Sequence, residues 1–163
     1  MKTIQKTASK VDFTYSRGVN FSGTPSAVIF NGQVGFSLDT KGNVAIQASG
    51  GGGFTGGDSG MSITDYVSVT NAPSINKLNG TFYQIGGSSA ALVEGVPLAA
   101  GGDILFMPDT ELNSGYFGLT GNVGFGVPGN EFHVEWGTTT TQRGSQYNIY
   151  DVARFAYIQI MEW

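Results

Sequence analysis

The sequence predicts an all-β fold, an antiparallel up-and-down β-barrel of about eight to ten strands with one short helical turn. Large apolar residues recur at every second position along most of the chain, the period of a strand with two unlike faces. Clusters of glycine, asparagine and proline punctuate these runs at short intervals. A sheet of this many strands has edges that invite aggregation, and closing it on itself removes them. A two-sheet β-sandwich is the alternative arrangement.

The clearest stretch is Gly115 to Thr141. Phe117, Leu119, Val123, Phe125 and Val127 fall at one parity, and Gly118, Thr120, Asn122, Gly124 and Gly126 at the other. Beyond Pro128-Gly129-Asn130, Phe132, Val134 and Trp136 alternate with Glu131, His133 and Glu135. This predicts a long antiparallel hairpin. At the start of the chain, Met1 to Lys10 reads as a flexible polar tail, followed by a single domain over residues 11–163. Val11, Phe13 and Tyr15 open a first strand that Gly23-Thr24-Pro25 breaks. Ala27 to Phe30 is a short run that Asn31-Gly32 ends as a turn. Gln33 to Asp39 and Asn43 to Ser49 form a second hairpin, with Gly42 supplying the left-handed position of its loop.

Gly50 to Gly60 is glycine-rich and reads as a weak strand or a flexible loop, and Met61, Ile63, Val67 and Val69 mark the next strand. From Ala72 to Gly80 the chain predicts one or two helical turns, capped by Asn71 and stopped by Gly80, acting as a plug or a corner. Three short strands follow over Thr81 to Ile85, Ala91 to Leu98 and Asp103 to Met107, and a last strand is expected to end near Trp163.

At 163 residues the chain suffices for one domain with a real core. Charged residues make up only 12% and there are 26 glycines, so something other than charge covers this surface. The net charge of -4 and the scattered Lys and Arg disfavour nucleic acid as a partner. No cysteine is present, so neither a disulfide framework nor a thiolate site is available. The start MKTIQKTASKVDF has no apolar run after its lysines, unlike a conventional secretory signal. No window approaches the ~18 to 20 apolar residues of a membrane helix, so only a barrel could cross a bilayer.

Three motifs invite chemistry. Gly124-x-Gly126-x-x-Gly129 matches the dinucleotide fingerprint, but that motif needs a strand passing into a helix, and here a strand follows. Gly57-Asp58-Ser59-Gly60 resembles a serine-protease nucleophile motif, yet the single histidine, His133, lies downstream of it. Glu131, His133 and Glu135 are the best-arranged ionisable group, because alternate strand positions put three potential ligands, or an acid and base set, on one face. They are the candidate ligand or metal site, against the plainer expectation of a solvated row on an exposed face. No catalytic residue and no cofactor is assigned.

GNVAIQASGGGG (Gly42 to Gly53), SVTNAPSINKLNG (Ser68 to Gly80), YQIGGS (Tyr83 to Ser88) and GNVGFGVPGNEFHVEWGTTTT (Gly121 to Thr141) resemble, in order, the glycine-rich C-terminal segment of bacterial RHS-repeat proteins of the polymorphic-toxin type. The resemblance spans about residues 35–141 and implies a module of a large secreted or surface-delivered protein. It carries no catalytic residues over to this chain.

Two functional readings follow from the two faces. With the large residues inward, the chain is a soluble, non-enzymatic barrel whose uncharged outer face of Gly, Ser, Thr, Asn and Gln serves binding, self-assembly or delivery, alone or in a larger RHS-type assembly. This is the first expectation. With the large residues outward, it is a pore-forming or membrane-inserting effector. A small-ligand barrel or enzyme using Glu131, His133 and Glu135 is the third reading. Localisation is expected to be secreted or cell-surface by a non-classical route, and a cytoplasmic one also fits.

Overall fold

The computed structural model describes residues 12–109, 114–142 and 144–161, without the side chains of residue 156 and residues 159–161. The expected tail Met1 to Lys10, Val11 and the chain end at Trp163 lie outside the described residues. Eight long strands form an antiparallel barrel: β1 (Thr14–Thr24), β2 (Val28–Asp39), β3 (Asn43–Gly57), β4 (Gly60–Thr70), β5 (Gly80–Val93), β6 (Val96–Asp109), β7 (Ser114–Gly126) and β8 (Gly129–Thr141). Neighbours run in the order β2-β1-β4-β7-β6-β5-β8-β3, and pairing of β3 with β2 closes the ring. Barrel, pairing sense and strand number agree with the sequence, and the sandwich alternative falls away.

Stagger sets the dimensions. Following paired residues once around, from Asp39 through Thr14, Thr70, Gly118, Leu105, Gln84, Glu135 and Gly53, returns to β2 at Ile29, ten positions along (39 to 29). With strands ~4.8 Å apart and a rise of ~3.3 Å per residue, this stagger tilts the strands by about 40°. Each residue then advances roughly 2.5 Å along the axis, so ten residues span about the 25 Å of a membrane barrel's apolar band.

The connectivity departs from the up-and-down expectation at two links. β1–β3 form a meander and β4 returns beside β1; β5–β7 form a second meander and β8 returns beside β5. These are two Greek keys, equivalent to an up-and-down barrel in which β4 and β8 have exchanged places. The stretch from Gly115 to Thr141 is therefore not a hairpin: β7 pairs with β4 and β6, whereas β8 pairs with β3 and β5. Two residues, Asp58-Ser59 or Val127-Pro128, carry the chain across the barrel mouth each time. The crossings are stitched together. Asp58 N donates to Asn130 O at 2.9 Å, Asn130 N donates to Asp58 Oδ2 at 3.0 Å, and Val127 N donates to Met61 O at 2.9 Å. The halves match closely: a shift of 69 residues carries Gly57 and Ser62 onto Gly126 and Glu131, and Gly57 pairs with Glu131 as Ser62 pairs with Gly126.

Asn31-Gly32 is no turn but lies within β2. The three short strands expected after Gly80 are two strands of 14 residues, joined at Glu94 and Gly95, whose φ angles of 51° and 84° are those of a tight left-handed hairpin turn. The Gly42 turn is as expected, at φ 82°. The glycine-rich stretch continues β3 as far as Gly57. The helical turn is a short 3₁₀ segment, Ile75–Leu78, with both named residues buried; its N-cap is Ser74, while Asn71 instead accepts a hydrogen bond from Phe117 N. The last strand is reduced to β9 (Tyr147–Asn148), followed by α1 (Ile149–Met161). Its shortness has a physical cause: β8 covers β3 from Gln47 onward and Gln142 N and Ser145 Oγ take up the backbone of Ile46, so β9 pairs only with Asn43 and Val44.

The largest departure concerns the faces. Phe21, Phe30, Phe54, Ile63, Ile104, Leu119, Val123, Phe125, Phe132, Val134 and Trp136 all point out of the barrel, with Phe125 59% exposed. Thr14, Ser16, Asn20, Ser37, Gln47, Thr64, Ser68, Gln84 and Thr120 point in and are buried. The expectation of large residues inward is overturned, because most of the interior is too close for them. A Cβ at the inward-facing Gly18 would strike Val34 O, and one at Gly35 would strike Arg17 O. At one end Ala72, Leu78, Phe82, Met107 and Tyr116 form an apolar cluster with the 3₁₀ turn, while Ile29 and Ala99 are buried towards the other.

Outward-facing partners report the strand exchange. A Val69→Cys/Leu119→Cys pair, directly opposite across β4 and β7, is expected to form a disulfide readily, whereas Leu119→Cys/Trp136→Cys, opposite only in a β7–β8 hairpin, is expected to stay reduced. Non-reducing electrophoresis reads the outcome, and the reverse pattern would restore the simple meander.

Candidate functional site

The interior is a graded set of hydrogen bonds. At the capped end, Thr14 Oγ1 donates to Ala72 O at 2.9 Å, Tyr116 Oη donates to Asp109 Oδ2 at 2.6 Å, and Lys77 Nζ reaches the same oxygen at 3.1 Å. Asp39 accepts from the backbone N–H groups of Lys41, Asn43 and Ile75, tying the β2–β3 turn to the 3₁₀ segment. Further in, Ser16, Ser37 and Gln47 form a chain that ends on Thr141 and on Ile75 O.

Glu131, His133 and Glu135 lie towards the link-crossed mouth. The alternation of β8 puts all three on its inner face, as the sequence predicts. The expectation of a solvated row does not hold: His133 is 6% and Glu135 1% exposed. A fourth member was not anticipated. Asp103, on the inner face of β6, receives a hydrogen bond with His133 Nε2 at 2.8 Å. Glu135 Oε1 stands 3.8 Å from the same nitrogen, and Glu131 Oε1 lies 3.5 Å from Nδ1. Gln84 Nε2 donates to Glu135 Oε2 at 2.8 Å, Asn31 Nδ2 donates to the same oxygen, and Ser88 Oγ donates to Glu131 at 3.1 Å. One imidazole is therefore ringed by three carboxylates drawn from β6 and β8 and held by amides from β2 and β5.

Such an arrangement is an ion-pair and hydrogen-bond network that lets carboxylates exist inside a barrel. Among the described residues, no group of three or more His, Asp or Glu side chains is disposed to hold a metal ion. The lumen is filled. Three of its cavities, of about 30, 50 and 20 Å³, have space for single waters. Asn20 Oδ1, Asn31 Oδ1 and His133 Nδ1 are buried without a protein hydrogen-bond partner, and all three residues line the smallest chamber.

The other motifs resolve structurally. Ser59 sits in a mouth-crossing link, while both nitrogens of His133 face carboxylates, so this histidine presents no base to that serine. Gly124-x-Gly126-x-x-Gly129 runs from β7 through the other link into β8, with no helix at its end.

Comparison with protein-family models, with characterised proteins and with solved structures gave no match for this chain.

Removing the imidazole would leave three buried carboxylates facing one another. His133→Ala is expected to lower unfolding stability by about 3–5 kcal/mol. Adding Asp103→Asn should recover part of that loss. Urea midpoints of the two variants test this, and an unchanged midpoint for His133→Ala would contradict a buried network.

Proposed function

We propose that the chain is a membrane-inserting β-barrel with a filled lumen, a seated module and not an open pore. The observation that carries this reading is the direction of the side chains: large apolar residues cover the outside of all eight strands, and polar residues fill the inside. A single protein partner would call for an apolar patch on one side, whereas lipid calls for a belt around the whole circumference. Phe, Tyr, Trp and branched aliphatic side chains make up that belt, and the strands are long enough for it at their tilt. Strands also satisfy their backbone groups through barrel closure, which lipid requires. No helix among the described residues is long and apolar enough to cross a membrane, a measure that does not bear on strands.

The filled interior separates this reading from the pore. An eight-stranded barrel has an interior just wide enough for side chains, and here the 3₁₀ segment caps one end and two links cross the other. The resemblance to the RHS-associated segment supplies the setting, a barrel belonging to a secreted or surface-delivered protein and acting by binding, assembly or delivery, without turnover.

Flotation with vesicles tests the proposal. The purified chain, diluted from detergent into phosphatidylcholine or mixed phosphatidylglycerol vesicles, is expected to float with the lipid and to leave an entrapped dye in place. Val123→Arg, in the middle of the belt, is expected to reduce uptake by about 30-fold or more. Failure to associate with either vesicle would overturn the membrane reading, and rapid dye release would overturn the filled lumen.

A further inference from the structure

The belt is interrupted by charge at one place. Among the described residues, Arg17 on β1 and Asp65 on β4 are the only charged side chains on the outward faces of the eight strands. They form a two-point pair, Arg17 Nη2 to Asp65 Oδ2 at 2.7 Å and Nε to Oδ1 at 3.3 Å, and both remain about half exposed, at 53% and 45%.

Their height matters. Asp65 has Val67 and Val69 between it and one end of its strand, and Ile63 and Met61 between it and the other. A short aspartate in that position cannot reach the headgroups at either surface, and an ion pair exposed to acyl chains is costly there. The internal symmetry of the barrel sharpens the point. Arg17 pairs with Val67, and Asp65 with Val19; the corresponding pairs in the other half are Tyr83 with Trp136 and Val134 with Ile85. The same geometry thus carries an ion pair on one side and Tyr83 and Val134 on the other. Two halves built alike but dressed differently face different surroundings.

We propose that the β1–β4 face is a docking surface for a second copy of this chain, with Arg17 and Asp65 at its centre. The chemistry fits a copy of the chain better than lipid. A two-fold interface brings the same patch from both partners together, so Arg17 of each copy meets Asp65 of the other, and four charges form a closed, neutral cluster shielded from acyl chains. Arg17 has donors to spare after its pairing within the chain, since a guanidinium carries five N–H groups, Asp65 engages two and Tyr15 is its other side-chain partner. Val19, Ile63 and Val67 surround the cluster and supply apolar contact.

Mixing separates contacts between copies from contacts within one. In detergent micelles, the parent chain is expected to be dimeric by light scattering corrected for detergent. Arg17→Asp and Asp65→Arg, each alone, are expected to weaken association by at least about tenfold through like-charge contact. A mixture of the two variants is expected to dimerise again, because one copy then presents two acidic groups and the other two basic ones. A pair acting only within its own chain would not be rescued by mixing, and that result overturns the proposal. Should either variant fail to fold, single cysteines decide the matter in a chain that has none of its own. Val19→Cys should give disulfide-linked dimers and Ile85→Cys, at the matching place in the other half, should not; equal yields overturn the proposal. It rests on the membrane reading, but the two fail separately. Vesicle uptake of a monomer defeats the docking surface alone, while dimers in plain buffer that refuse lipid defeat the membrane reading alone.

Discussion

The closeness of the strands inside the barrel is the constraint on which the rest of the structure depends. Eight strands at this stagger leave room for one layer of side chains, and at Gly18 and Gly35, directly paired across β1 and β2, even a Cβ would collide with the neighbouring backbone. Serine, threonine, asparagine and glycine fit most of that space. The strict alternation of the sequence then places most of the large residues on the outside, while Ile29, Tyr66, Phe82, Met107 and Tyr116 are buried. A largely inside-out distribution follows from geometry, and an apolar cluster forms where the 3₁₀ turn packs Leu78 onto the end of the barrel with Phe82 and Met107.

A polar interior must satisfy itself. Hydroxyls and amides do so in short chains such as Ser16, Ser37 and Gln47. The carboxylates need a cation, and His133 provides it for three of them, as Lys77 does for Asp109 at the capped end. These networks occupy the volume that a channel would need, so the feature that stabilises the barrel also closes it. Asp103, Glu131, Glu135, Lys77 and Asp109 are thus engaged within the lumen. The pair on the outer wall stands apart in being set among Val19, Ile63 and Val67, with the Tyr15 hydroxyl as its polar neighbour.

Much of this was legible. Period-two patterning located the strands because it depends only on neighbours in sequence, and the Gly42 turn and the buried Ile75–Leu78 segment follow from equally local chemistry. Glu131, His133 and Glu135 on one face followed from spacing alone. What the pattern could not reveal was which face points inward, since alternation is the same for a barrel turned either way. Nor could it distinguish a turn from a crossing: Gly-Asp-Ser-Gly and Gly-Val-Pro-Gly look like hairpin loops, and only the pairing of Gly57 with Glu131 and of Ser62 with Gly126 shows that the following strands have exchanged partners. Asp103 was missed for a related reason, because its partner lies 30 residues away on a different strand. Its signal was a lone carboxylate at an inward parity in a chain that is otherwise poor in charge.

The most direct measurement of the central claim is a cysteine scan along β7 in lipid vesicles, with each single cysteine exposed to a small membrane-soluble thiol reagent. The account predicts fast labelling at positions 119, 123 and 125 and little at 120 and 122, an alternation with the apolar parity in contact with lipid. Uniformly slow labelling, or alternation with the opposite phase, would contradict it.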